Sequence, residues 1–84
     1  MVAYRGMADE PAKYGSAVRV YTRIAGEHRE QWFMVGLPDE GTAETVVKSH
    51  PKAIAEAMVE AHRVLEDSEI EDFGLKPGEA LQYA

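Results

Sequence analysis

The first regular pattern in the chain is an alternation of apolar and polar positions between residues 17 and 24. One set of alternate positions is apolar or β-branched: Val18, Val20, Thr22 and Ile24. The intervening set is Ala17, Arg19, Tyr21 and Arg23. A period of two puts the sets on opposite faces, so the segment predicts a half-buried strand. Residues 31–37 are apolar on both faces and predict a central strand that forms a hairpin with the first.

A turn and a third strand are predicted next. Residues 37–41 have proline second and glycine last, which is typical of a turn. The β-branched run of residues 44–48 then predicts a third strand. Together the three strands form an antiparallel meander.

Residues 49–67 predict the main helix. Ser49 offers an N-cap oxygen, and Pro51 lies in the first turn, where its missing N–H costs nothing. At 100° per residue one helix face is apolar, and we expect it to pack on the sheet. This face consists of Ile54, Ala57, Met58, Ala61, Val64 and Leu65.

The C-terminal segment predicts a short helix and a tail. Ser68 and Glu71 have the spacing of a capping box, and we expect the helix to end at Gly74. A turn at residues 76–78 follows, and Leu81 and Tyr83 are expected to fold back onto the body.

The fold class that follows is α+β: a three-stranded antiparallel meander covered by one amphipathic helix, with a short C-terminal helix and loose termini. Eighty-four residues allow one domain, 1–84. It divides into an arm (1–15, with a short strand near residues 2–5), the sheet (16–48), the main helix (49–67) and a short helix with tail (68–84). Cysteine is absent, so a second subunit is one way to stabilise so small a core.

Charge is distributed unevenly along the chain. Residues 1–55 carry seven acids and seven bases, whereas residues 56–84 carry eight acids against Arg63 and Lys76. An acidic segment of this kind either docks on a basic partner or keeps a small protein in solution. The carboxylates that we predict to form a partner-binding patch are Glu56, Glu60, Glu66, Asp67, Glu69, Glu71 and Asp72.

A second predicted binding face is Arg19, Tyr21 and Arg23, which share one face of the first strand. Two guanidinium groups flanking an aromatic ring suit a nucleic-acid backbone or an acidic protein surface. The alternative is a solvated strand face on which arginine and tyrosine hold each other by cation–π contact. This face also offers a docking surface for the acidic end of a neighbouring copy, in a head-to-tail arrangement.

Residues 17–66 resemble the small HicB-type antitoxins. The resemblance is carried by the strand order, the stretch Trp32-Phe-Met-Val-Gly-Leu-Pro-Asp39 and the alanine- and glutamate-rich residues 53–57. Leucine stands before Pro38, where that family commonly has an aromatic residue. The resemblance implies a non-catalytic protein that binds a toxin ribonuclease.

The same order of elements looks like the latter part of a double-stranded RNA-binding domain. That family starts its last helix with a lysine-rich phosphate clamp, and here only Lys48 and Lys52 are available. An acidic domain repels phosphates, so direct binding of duplex nucleic acid is not expected.

Catalytic and metal-binding patterns are weak. His28, His50 and His62 have no recognised metal spacing, although His62 and Glu66 lie four apart. The serines lack a nucleophile elbow and are interpreted as capping or turn residues. We therefore expect no enzyme activity, no metal and no cofactor. The alternative is a small enzyme whose carboxylates bind Mg²⁺ or act on a sugar or a phosphoester.

The sequence favours a non-catalytic protein-binding or inhibitory module, resembling an antitoxin or a phage-encoded blocker. Its acidic surface would occlude a basic site on a protein that handles nucleic acid. The alternative is a self-associating assembly protein, and a homodimer is one form of it. No apolar stretch reaches the ~20 residues of a membrane span, and the N-terminus has no signal pattern. We expect a soluble, unprocessed cytoplasmic chain.

Overall fold

The computed structural model describes residues 10–84, so the strand predicted near residues 2–5 lies outside the described part. The elements in chain order are β1 (Ser16–Ile24), β2 (Glu27–Val35), α1 (Glu40–Lys48), β3 (Met58–Val64), α2 (Asp67–Phe73) and β4 (Ala80–Gln82). The class is α+β, as predicted. No helix within residues 10–84 is long and apolar enough to cross a membrane.

The sheet has four strands in the order β3-β1-β2-β4, and every neighbouring pair is antiparallel. The predicted hairpin is confirmed, but β2 starts at Glu27 because the loop is only Ala25-Gly26. Both loop residues have positive φ, 52° and 84°, as a two-residue type I′ turn requires. The prediction of three strands is wrong by one, because β4 pairs with β2.

The predicted third strand at residues 44–48 is wrong, because residues 40–48 form α1. Asp39 starts this helix, since its carboxylate accepts a hydrogen bond from the Thr42 N–H at 2.8 Å. Ala43 and Val47 lie four residues apart on the buried face. Ser49, predicted as an N-cap, is the C-cap of α1.

The predicted main helix at residues 49–67 is also wrong. Residues 49–57 form a loop, and β3 follows. The Gln31 side chain fixes this loop to the sheet, because it donates to the Lys52 carbonyl (2.8 Å) and accepts from the Ile54 N–H (2.9 Å). Residues 58–64 include strong helix formers, but they adopt strand geometry because their backbone pairs with β1.

The short C-terminal helix is confirmed as α2, and Gly74 ends it in the left-handed conformation with φ of 62°. Its capping contact lies earlier than predicted: the Glu69 carboxylate accepts from the Glu66 N–H at 3.0 Å. A turn closes after it, with the Glu79 N–H donating to the Lys76 carbonyl at 3.0 Å.

The sheet separates two apolar clusters. The α1-side cluster has the buried members Val18, Val20, Phe33, Val35, Ala43 and Val47. The α2-side cluster has the buried members Ala12, Ala17, Met34, Leu65, Ile70 and Leu75, with Leu81 packed against it. Both ends of the described chain therefore contribute to the core. The prediction of loose termini is wrong for residues 12 and 80–82, while the expected return of Leu81 is confirmed.

Candidate functional site

Within residues 10–84, the α2-side face of the sheet is covered over only half of its length. Ala17 on β1 and Met34 on β2 are buried beneath α2 and residues 12–15. Further along the same face, the side chains two, four and six positions from Ala17 and from Met34 extend beyond this cover. We call this half the open face and define it as Arg19, Tyr21, Arg23, His28, Glu30, Trp32, Met58, Glu60 and His62.

The centre of the open face is a hydrogen-bonded network. Arg19 donates from Nε to Glu30 Oε2 at 2.6 Å, and Trp32 donates from Nε1 to Glu30 Oε1 at 3.0 Å. These two donors, Trp32 first and Arg19 second, hold the pKa of Glu30 below its usual range. The carboxylate thus stays charged and orients an arginine and an indole ring on adjacent strands.

Aromatic contacts extend the network along the sheet. The Arg19 guanidinium carbon lies 4.3 Å from the centre of the Tyr21 ring, the cation–π contact expected under the alternative of a solvated strand face. The Trp32 and His62 rings meet edge to face, with centroids 5.0 Å apart. His62 therefore lies on β3 and packs beside an aromatic ring.

A concavity of about 550 Å³ lies at the hairpin end of the open face. Its lining includes Arg19, Tyr21, Arg23, His28, Glu56 and Met58. Arg23 and His28 are directly paired across the hairpin, and both are exposed. Glu56 at the rim has φ of 60°, a left-handed conformation that a residue other than glycine rarely adopts.

The predicted acidic patch is not the side of one helix. Glu60 lies on β3, where it pairs with Arg19 of β1, and Glu56 lies in the loop before β3. The other five predicted carboxylates lie at or within α2: Glu66, Asp67, Glu69, Glu71 and Asp72. The prediction that these carboxylates lie along one helix is therefore wrong, although a smaller acidic group remains at α2.

Within that group Glu69 is already paired. Its carboxylate receives two hydrogen bonds of 2.7 Å from Arg63, which lower the pKa of Glu69 to about 2 together with the Glu66 N–H. The same contact raises the pKa of Arg63. Within residues 10–84, no ion pair involves Asp67, Glu71 or Asp72.

The histidines and serines take structural positions. His50 lies in the loop after α1, where its Nδ1 accepts from the Lys52 N–H at 3.1 Å and its ring meets Phe33. Ser16 is buried and donates to the Leu37 carbonyl at 3.5 Å. Among the residues described, no three His, Asp or Glu side chains are grouped so as to hold a metal ion.

Trp32 and Met58 were not singled out with the arginine triplet in the sequence. Trp32 lies in a run that is apolar on both faces, and Met58 lies in the segment that predicts the main helix. The period-two alternation of residues 58–62 was the available signal, since Val59 and Ala61 point to the α1-side cluster and Met58 and Glu60 point away.

No protein-family model, curated protein or solved structure matches this chain. The resemblance to HicB-type antitoxins accordingly stays a prediction.

Proposed function

We propose that this protein is a non-catalytic protein-binding module and that its docking surface is the open face. The observation that carries the proposal is the set of side chains that residues 10–84 leave uncovered on one half of the sheet: an indole ring, a phenol ring, two guanidinium groups and the thioether of Met58. Tryptophan, tyrosine, arginine and methionine are the residues enriched in protein interfaces, and the first three supply most binding hot spots.

The preorganisation of the open face supports this role. Arg19, Glu30 and Trp32 hold one another, so little side-chain entropy remains to be lost when a partner docks. Their charges balance locally, which favours a protein surface of mixed character over a polyanion. Arg23 adds positive charge at the hairpin end for an acidic group of the partner, next to the exposed His28 ring.

Affinity capture from the native source tests the proposal. Three baits are compared: wild type, Arg23→Glu and Arg29→Glu. Arg29 is exposed on the same hairpin but projects to the α1 side, so its reversal changes the charge equally without touching the open face. We expect mass spectrometry to find partners that wild type and Arg29→Glu retain and Arg23→Glu loses. Identical captures with all three baits would contradict the proposal.

A second candidate function is inhibition through the acidic end of the molecule. Asp67, Glu71 and Asp72 are exposed on α2, unlike Glu69, which Arg63 holds. These three carboxylates suit a basic surface of a nucleic-acid-handling protein, which an antitoxin or a phage-encoded blocker would occlude. Reversing all three to lysine should slow association with such a partner, and unchanged association at low salt would exclude this function.

A further inference from the structure

The partner of the open face can be named from the same surface, and this inference rests on the proposed function. We infer that the open face binds α2 of a second copy of this chain, so that two copies pack face to face as a closed homodimer. Each copy then supplies one open face and one α2.

The first argument is the position of α2. Ile70 packs into the cluster that contains Ala17 and Met34. Arg19 follows Ala17 by two residues on β1, and Trp32 precedes Met34 by two on β2, so α2 and the open face lie on the same side of the sheet. One half of that side carries a helix, and no helix among residues 10–84 covers the other half.

This placement determines the symmetry. A twofold axis that lies between two facing sheets and runs perpendicular to their strands places the covered half of each sheet opposite the open half of the other. The helix of each copy then fills the space beside the helix of the other. The head-to-tail arrangement predicted from the sequence requires the acidic end and its docking surface to lie on opposite ends or faces of the molecule. Here α2 and the open face lie on one side of the sheet, so both are occupied in a closed pair.

Charge complementarity is the second argument. At 100° per residue, Asp72 lies about 160° from the buried Ile70, and Glu71 lies about 100° from it. Asp72 therefore points away from its own sheet, towards whatever faces α2. On the open face of the second copy Arg23 is the arginine that has no ion pair within residues 10–84, since Arg19 is held by Glu30, and Arg23 lies in the same concavity as Glu56.

Exposed apolar side chains provide the third argument. Phe73 at the end of α2 is 51% exposed and lies 6.1 Å from the Tyr83 ring, measured between centroids. Met58 on the open face is 62% exposed. Burial of both in the homodimer removes apolar area from water, which is the main favourable contribution to association.

The test is sedimentation velocity over a concentration series, at low and at high salt. We expect the wild-type protein to form a dimer that weakens with salt, because exposed charge pairs are screened. Arg23→Glu and Asp72→Arg should each raise the dimer dissociation constant by about 100-fold, because every substitution acts at two symmetry-related contacts. The double variant Arg23→Glu/Asp72→Arg should recover most of the dimer, because its charges are exchanged.

Two matched controls accompany the series. Arg29→Glu and Glu27→Arg make the same charge changes on exposed positions of β2 that project to the α1 side, and both should dimerise like wild type. Circular dichroism verifies that every variant is folded.

Three results would overturn the inference: a wild-type monomer up to about 500 µM, where even a weak dimer is populated; a dimer insensitive to Arg23→Glu and Asp72→Arg; or no recovery in the folded double variant. A wild-type monomer whose captured partners are still lost with Arg23→Glu would reject the second copy as occupant but keep the open face as a docking surface. If Arg23→Glu dimerised like wild type and also retained every captured partner, both proposals would be rejected.

Discussion

The carboxylate of Glu44 on α1 accepts a hydrogen bond of 2.7 Å from the backbone N–H of Ala61 on β3. β3 is an edge strand, and Ala61 pairs with Val18 of β1 on its inner side. An unpaired edge N–H is a template for strand addition by another chain. Glu44 occupies this donor and joins the helix to the strand, so edge-to-edge pairing is blunted at the middle of β3.

Replacing Glu44 should therefore destabilise the fold and expose the edge. We expect Glu44→Ala to lower the free energy of unfolding by about 1–3 kcal/mol, because a partly buried donor loses a charged acceptor. Urea denaturation measures the loss, and light scattering should show more association than in wild type. Glu71→Ala is the matched control, since Glu71 is exposed and should change stability by less than about 0.5 kcal/mol. Equal losses in the two variants would contradict this role of Glu44.

Gln31 should prove equally important for the loop between α1 and β3. Its amide makes both hydrogen bonds that hold residues 52 and 54, so Gln31→Ala leaves the partly buried Ile54 N–H without its acceptor. We expect a loss of about 1–3 kcal/mol in unfolding free energy. Hydrogen exchange of the Ile54 amide should accelerate more than that of amides in β1. Gln82→Ala, an exposed change on β4, serves as the control, and unchanged Ile54 exchange in Gln31→Ala would refute the prediction.

Gly36 should tolerate no side chain. A Cβ built there would lie 2.3 Å from the Lys76 carbonyl oxygen and 3.1 Å from the Ala12 Cβ. Its N–H donates to the Glu79 carbonyl and its carbonyl accepts from the Gly78 N–H, both at 2.8 Å, so the backbone cannot move away without losing these bonds. We expect Gly36→Ala to lower unfolding free energy by about 1–3 kcal/mol, the usual range for overpacking.

The control for Gly36 lies in α1. Gly41→Ala meets only the Asp39 side chain, at 3.3 Å, and replaces glycine by the best helix former. Its melting temperature should equal or exceed that of wild type. If the Gly36→Ala and Gly41→Ala proteins had the same melting temperature, the backbone near residue 76 would have to move freely.

Acid should weaken the contact between β3 and α2. The pKa of Glu69 is about 2 in the folded protein, against an ordinary 4.5, chiefly because Arg63 donates two hydrogen bonds to it. Between these pH values the unfolded chain binds the proton that the folded chain does not. The stabilisation is therefore complete above about pH 4.5 and is lost as pH falls towards about 2.

Comparison of wild type with Glu69→Gln isolates this effect. The difference in unfolding free energy between the two should shrink as pH falls through that window, because both then carry a neutral side chain at residue 69. Denaturant titrations at several pH values measure it. A difference that stays constant from pH 5 to pH 2 would show that the Arg63 contact does not lower the Glu69 pKa.

Local pattern predicted those parts of the fold in which one period dominates. The alternation of residues 17–24 gave β1, and a glycine in the left-handed conformation ends α2 where Gly74 was expected. Residues 44–48 favour a strand by pattern but belong to a helix, whereas residues 58–64 favour a helix by pattern but form a strand. Val46 and Val47 favour a strand intrinsically, but the Asp39 cap and the burial of Ala43 and Val47 four residues apart produce a helix.

The candidate site was predicted only within one strand. Arg19, Tyr21 and Arg23 share a face because a strand has a period of two, and the sequence shows that directly. Their association with Trp32, Met58 and His62 depends on pairing between strands distant in sequence. Glu56 and Glu60 do not belong to the acidic group at α2, because residues 49–66 form a loop and a strand and not the helix that would have aligned them with it.

By itself the sequence determined the α+β class, the first hairpin, the short acidic helix and the charge of each half, because these depend on neighbouring residues and on composition. The tertiary structure decided which segment completes the sheet and which half of its face stays open. A helix-forming segment became β3 because β1 offered an unpaired edge, and backbone pairing with that edge outweighs differences in propensity of under about 1 kcal/mol per residue.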